Sequence, residues 1–130
     1  MNAPKRCGKV FHYTAVRAEE LPADMAEGAR IRWLIGPEDR PPTFYMRFFE
    51  VESNGHIKSH FHPWEHEIFV LEGSGRIRIG REIYEVGDGY VVFIPPNVEH
   101  EYWAYDRGLK FLCMIPVKPS AEERESPVEC

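Results

Sequence analysis

The stretch Gly55-His56-Ile57-Lys58-Ser59-His60-Phe61-His62-Pro63-Trp64-Glu65-His66-Glu67, continued by Ile68-Phe69-Val70-Leu71-Glu72-Gly73, carries the decisive reading of this chain. Residues two apart on a strand point to the same face, so His60 and His62 can present their imidazoles to one point. Pro63 and Trp64 interrupt the strand, and a bend there brings His66 back toward that point from the strand that follows. A distant stretch, Pro95-Pro96-Asn97-Val98-Glu99-His100, adds a fourth imidazole just after a turn. An H-x-H pair alone is common among surface histidines. The four together point to a divalent transition metal, which keeps open positions beside four neutral nitrogens if it is six-coordinate.

Working outward, most of the middle of the chain reads as short strands. Thr43 to Glu52, Glu67 to Glu72, Gly75 to Gly80, Glu82 to Val86, Gly89 to Ile94 and Leu109 to Ile115 are rich in β-branched and aromatic residues and bounded by Gly, Pro, Asn or Asp. Strand centres spaced about ten residues apart predict an antiparallel sandwich or barrel. Gly73-Ser74-Gly75 and Gly80-Arg81 are predicted tight turns, the second closing a hairpin between RIRIG and REIYEV. Ile31 to Ile35 (IRWLI) is a further strand, set off by the Pro-rich GPEDRPP and able to pair within its own barrel or with a partner chain. Helical signal is confined to Ala15 to Ala29, where Pro22 and Gly28 limit it to one or two turns. The expected organisation is an N-terminal extension over 1–29, a barrel over 30–117 and a flexible acidic tail over 118–130, with no internal repeat.

Composition narrows the function. The 130 residues suit one domain, and 43% apolar with 13% aromatic residues suits a soluble globular protein. Sixteen Lys+Arg against twenty-one Asp+Glu give a net charge of −5, with no basic run, so no nucleic-acid partner is expected. Cys7, Cys113 and Cys130 are odd in number and form no C-x-x-C, which argues against a disulfide framework or a thiolate zinc site. No run is apolar enough to span a membrane, and MNAPKRCGKVFHY lacks the apolar core of a leader, so a cytoplasmic compartment is expected.

The two histidine stretches resemble the paired motifs of the cupin superfamily, G-x5-H-x-H-x(3,4)-E-x6-G and G-x5-P-x-G-x2-H-x3-N. Counting back from Gly73, the carboxylate position of the first motif falls on His66, so the sequence is similar to small single-domain cupins with an all-histidine site. Gly89, Pro95 and His100 match the second motif in register. Gly55 stands one residue too close to His60, Asn97 replaces a glycine and Ala104 replaces the last Asn. The resemblance covers Arg30 to Val117. It implies an all-β double-stranded β-helix, a small antiparallel jelly-roll barrel, that commonly dimerises through N-terminal or edge strands. It also implies one divalent ion per chain on His60, His62, His66 and His100, manganese foremost, then iron, nickel, zinc or copper. Without a carboxylate the ion keeps its full formal charge, which strengthens it as a Lewis acid and favours its divalent state.

Alternation proposes the pocket walls. Tyr102 shares the inward face of His100, and Phe111, Cys113 and Ile115 share one face of the last strand, opposite Leu112 and Met114. These four with Ile57 are the candidate substrate wall. Cys113, within an apolar strand, reads as an inert thiol rather than a nucleophile. Arg47 is either a solvent-facing edge residue or an inward cation for a substrate carboxylate. Glu65 and Glu67 either orient an imidazole N–H or are solvated. His12 and His56 carry no assignment, and Trp64 packs the turn. Three functions fit: a manganese- or iron-dependent oxidoreductase of dioxygenase type, a Lewis-acid isomerase or hydrolase, and a non-catalytic binding or sensor protein. An apolar wall favours a small hydrophobic or aromatic molecule over a sugar. No catalytic residue is assigned.

Overall fold

The computed structural model describes residues 8–117, so the expected acidic tail lies outside the described residues. The elements are β1 (Glu19–Glu20), β2 (Ala26–Ile35), β3 (Phe44–His60), β4 (His66–Ile79), β5 (Glu82–Gly87), β6 (Val91–Ile94) and β7 (His100–Pro116). All pairings are antiparallel, in the order β1-β2-β3-β7-β4-β5, with β6 paired to the first half of β4. The all-β architecture expected from strand spacing is therefore the one observed.

Two expectations change. Gly73-Ser74-Gly75 is not a turn, because β4 runs unbroken from His66 to Ile79. At that point Gly73 pairs with Leu109 and Gly75 with Ala104, so Ser74 alone stands opposite the four residues Tyr105 to Gly108. The bulge bends both strands and changes the phase of β7, whose buried residues are His100, Tyr102 and Ala104 before it and Leu109, Phe111, Cys113 and Ile115 after it. The register of β3 shifts at the same level, between Val51 and His56, and that of β2 between Glu27 and Ala29. Four strands thus turn one corner together, wrapping the sheet around a core of Val51, Ile68, Val70, Ile77, Leu109 and Phe111.

The second change concerns the N-terminal segment. One hydrogen-bonded turn closes at Pro22, whose carbonyl accepts from the N–H of Met25 and Ala26. The chain is strand from Ala26 onward, so IRWLI is the second half of a longer strand paired to β3 of its own chain. Proline opens that turn without needing an N–H, and Gly28 at φ +71° ends any helical continuation. The Gly80-Arg81 turn joins β4 to β5 in the predicted hairpin register, Ile79 opposite Glu82.

Candidate metal centre

Three of the four histidines reach the site from strand ends. His60 closes β3 and pairs directly with His100, the first residue of β7. His66 opens β4 opposite Ile94 of β6. His62 lies in the connecting loop, held because its carbonyl accepts from the N–H of Asn97 at 2.7 Å, and its ring stacks on Trp64 with centroids 4.6 Å apart. Asn97 occupies the left-handed region at φ 67°, which Asn tolerates, so its replacement of the motif glycine keeps the turn. The four side chains place one nitrogen each within 4.8 Å of one another.

Hydrogen bonding decides which nitrogens face inward. A carbonyl only accepts, so Nδ1–H of His60 donates to Lys58 O at 2.8 Å, that of His62 to Trp64 O at 3.1 Å and that of His100 to Val98 O at 2.8 Å. Their Nε2 lone pairs therefore point into the site. His100 Nε2 is buried and without a protein hydrogen bond, and His62 Nε2 lies 2.9 Å from His66 Nε2. Converging, buried lone pairs of this kind need a cation, and four imidazoles anchored through their other nitrogen are a fitting donor set for a transition metal.

Burial disfavours the charged form of His60, His66 and His100. It is the leading cause that lowers His100 to about 4, and it also lowers His60 and, together with the Arg47 charge, His66. Unfolded histidine takes a proton near pH 6.5. Between that pH and about 4 the unfolded chain binds more protons than the folded one, so stability falls as pH falls through this window. The thermal midpoint of chelated protein is therefore expected to drop steadily from about pH 7 to about pH 5. A flat profile there contradicts neutral buried imidazoles.

A small cavity of about 40 Å³, partly open at its mouth, adjoins the histidines. Its wall includes His60 and His66 together with Arg47, Ile57, Tyr102 and Phe111. Arg47 is inward and 1% exposed, with its guanidinium over the rings of Phe49 and Trp33, so the edge-strand alternative falls away. Tyr102 stacks on Phe111 at 5.4 Å, and Phe111 on Phe49 at 5.2 Å, giving three near-parallel rings along one side. Two expected wall residues are placed elsewhere. Cys113 and Ile115 share the inward face of β7 but lie further along it, Cys113 behind His66 and Ile115 in the core. Leu21, Met25, Ile31 and Phe49 complete the cavity and were not anticipated. Phe49, two residues from Arg47, follows from alternation. Leu21 and Met25 come from an irregular segment whose path no local pattern reveals.

Nδ1 of His60, His62 and His100 each turns to a backbone carbonyl and not to Glu65 or Glu67. Glu67 pairs outward with Phe93 and Met114, and desolvation, reinforced by a hydrogen bond to Glu65, pushes its carboxyl up to about 7. His56 pairs with Glu101 at 2.6 Å and stacks on Trp103, while His12 accepts from the Thr14 N–H at a helix start. Both serve the fold. Among the described residues, no helix is long and apolar enough to cross a membrane.

The fold and site define a small antiparallel β-barrel carrying a largely buried four-histidine set able to hold a metal ion. A model of the cupin domain family matches residues 47–115, and the chain belongs to that family. Among solved structures it is similar to the polyketide cyclase RemF from Streptomyces resistomycificus, 36% identical over 85% of this chain and 80% of that one, with a TM-score of 0.79. It also resembles a cupin 2 conserved barrel domain protein from Rhodopseudomonas palustris, 27% identical over 82% and 78% of the two chains, with a TM-score of 0.68. A predicted oxalate decarboxylase from Thermotoga maritima, 19% identical over 85% of this chain and all of its own, with a TM-score of 0.71, shares the fold. No curated protein matches the sequence.

Proposed function

We propose that the chain is a metal-dependent enzyme acting on a small, flat, largely apolar molecule that carries carbonyl or enol oxygens, and that it closes a ring in that molecule by an intramolecular aldol-type condensation. The observation that carries this reading is the stack of Tyr102, Phe111 and Phe49 running from the histidines toward Arg47 in one cavity. The 36% identity to a polyketide cyclase supports the same class of substrate. Such a condensation forms one carbon–carbon bond, releases one water and needs neither oxidant nor reductant.

A divalent ion on the four histidines supplies a Lewis acid for a substrate oxygen. The chain's own residues do the rest. The ring stack offers a planar aromatic wall of the kind that favours offset stacking. Arg47 is always charged, and in this largely apolar cavity its guanidinium stabilises negative charge on an enolate or acidic oxygen far better than in water. Leu21 and Met25 cover one side of the cavity and exclude solvent from the folded substrate.

An oxidoreductase of dioxygenase type on manganese or iron is the second reading, favoured by the all-nitrogen donor set, which suits a redox-active divalent ion with open positions. Elemental analysis of protein purified without chelator is expected to find about one transition metal per chain. Turnover of linear and part-cyclised poly-β-ketones and of their aromatic analogues, followed by mass spectrometry under argon and under air, separates the two. A product lighter by one water under argon supports the cyclase. A product that forms only in air, with oxygen uptake, supports the oxidoreductase instead. For the cyclase, Arg47→Met is expected to lower kcat/KM by roughly 10- to 100-fold, the usual weight of a hydrogen bond to a charged group.

A further inference from the structure

His66 differs from the other three histidines in what holds its outer nitrogen. His60, His62 and His100 each turn Nδ1 to a backbone carbonyl, whereas Nδ1 of His66 faces Cys113 Sγ at 2.8 Å and an Arg47 terminal nitrogen at 3.3 Å. Arg47 also donates to Cys113 Sγ at 3.0 Å. All three residues are buried, with Arg47 and Cys113 each 1% exposed. For His66 to offer its Nε2 lone pair to an ion, its hydrogen must sit on Nδ1. A guanidinium has no lone pair to accept that hydrogen, so the sulfur is the acceptor left between the two groups. When the hydrogen instead sits on Nε2 and points at His62 Nε2, Nδ1 can accept from Arg47.

We infer that Cys113 is a positioning residue of the metal centre, its sulfur accepting Nδ1–H of His66 and so selecting the ring tautomer and orientation that turn Nε2 toward the ion. The inference rests on the four-histidine metal reading and adds a role for a side chain that neither lines the cavity nor ligates. The same sulfur accepts from Arg47, so one acceptor ties the third ligand to the cation that faces the substrate. This places Cys113 behind the ligand shell, on the Nδ1 side, and predicts no direct sulfur–metal bond.

The test is a titration of chelator-stripped full-length protein with cobalt(II) under a non-thiol reductant, following the visible absorption of the bound ion. Cys113→Ala is expected to weaken cobalt binding by about 10- to 100-fold, the usual cost of losing an outer partner of a ligand. Cys113→Ser, which keeps an acceptor of similar reach, is expected to recover most of the affinity. Far-ultraviolet circular dichroism on each variant checks that the sheet is intact. Full affinity in Cys113→Ala overturns the inference, as does equal weakness in the alanine and serine variants, which marks a packing role. A sulfur-to-cobalt charge-transfer band in the wild type also overturns it, because sulfur is then a ligand. If His66→Ala binds cobalt as well as the wild type, or the wild type binds none, the metal reading itself fails and this role falls with it.

Discussion

Loading with a divalent metal raises the thermal midpoint of the wild-type protein by roughly 10 to 20 °C, and His100→Ala abolishes the rise while leaving the sheet folded. A ligand that binds only the native state stabilises it by about 4 kcal/mol when free ligand exceeds Kd by about 1,000-fold. For a chain of this size each kcal/mol moves the midpoint by roughly 3 to 5 °C. The effect is confined to the native state because its donors come from three strand ends and a loop, His60, His100, His66 and His62, which the unfolded chain does not bring together. His100→Ala removes a lone pair that is buried and unused by the protein, and the variant without metal loses the Nδ1–H bond to Val98 O and the edge contacts of its ring with His60 and Tyr102. Differential scanning calorimetry with and without chelator reads both values. An equal rise in His100→Ala places the metal elsewhere on the chain.

Gly75→Ala drives a methyl into the backbone of the facing strand, with an expected loss of about 3 kcal/mol or more and a midpoint lowered by about 10 °C or more. A Cβ at Gly75 would lie 2.2 Å from the carbonyl oxygen of Trp103 and 3.2 Å from Ala104 Cα, both backbone atoms of the facing strand. Neither can rotate away, so β4 and β7 must separate at the corner where the sheet bends. Gly87→Ala is the matched control. Its Cβ would meet nothing nearer than the Gly73 carbonyl oxygen at 3.6 Å, an ordinary contact, and its expected cost is below about 1 kcal/mol. Urea unfolding of the two variants side by side checks the difference. Similar midpoints for both mean that the strands pass further apart at Gly75 than the structure places them.

These two predictions draw on different kinds of information. The histidines behind the first are visible in the chain because ligand chemistry is a property of residue type, and because strand periodicity and the Pro63-Trp64 and Pro95-Pro96-Asn97 interruptions act over a few residues. The glycine behind the second is visible as a letter but not as a role. Gly73-Ser74-Gly75 has the composition of a turn, and only the strand lying across it shows that the glycines are there for close approach.

Arg47 and Cys113 show the same limit. An arginine in TFYMRFFEV alternates onto one face or the other, but which face is inward depends on the pairing of β3 with β2 and β7, set by residues far away in sequence. Cys113 shares its face with Phe111, yet one lines the cavity and the other backs His66, because position along a bent strand, and not face alone, decides what a side chain meets.

By itself, then, the sequence determined the all-β class, the four histidines of the candidate metal centre and the apolar character of the cavity, since each follows from residue chemistry and from periods of two to ten residues. The tertiary structure alone decided the inward cation, the sulfur behind the third ligand, the cover by Leu21 and Met25 and the corner at Gly73 to Gly75. Those features arise where strands distant in sequence cross, and register, bulges and close backbone approach are properties of the pair that no single segment encodes.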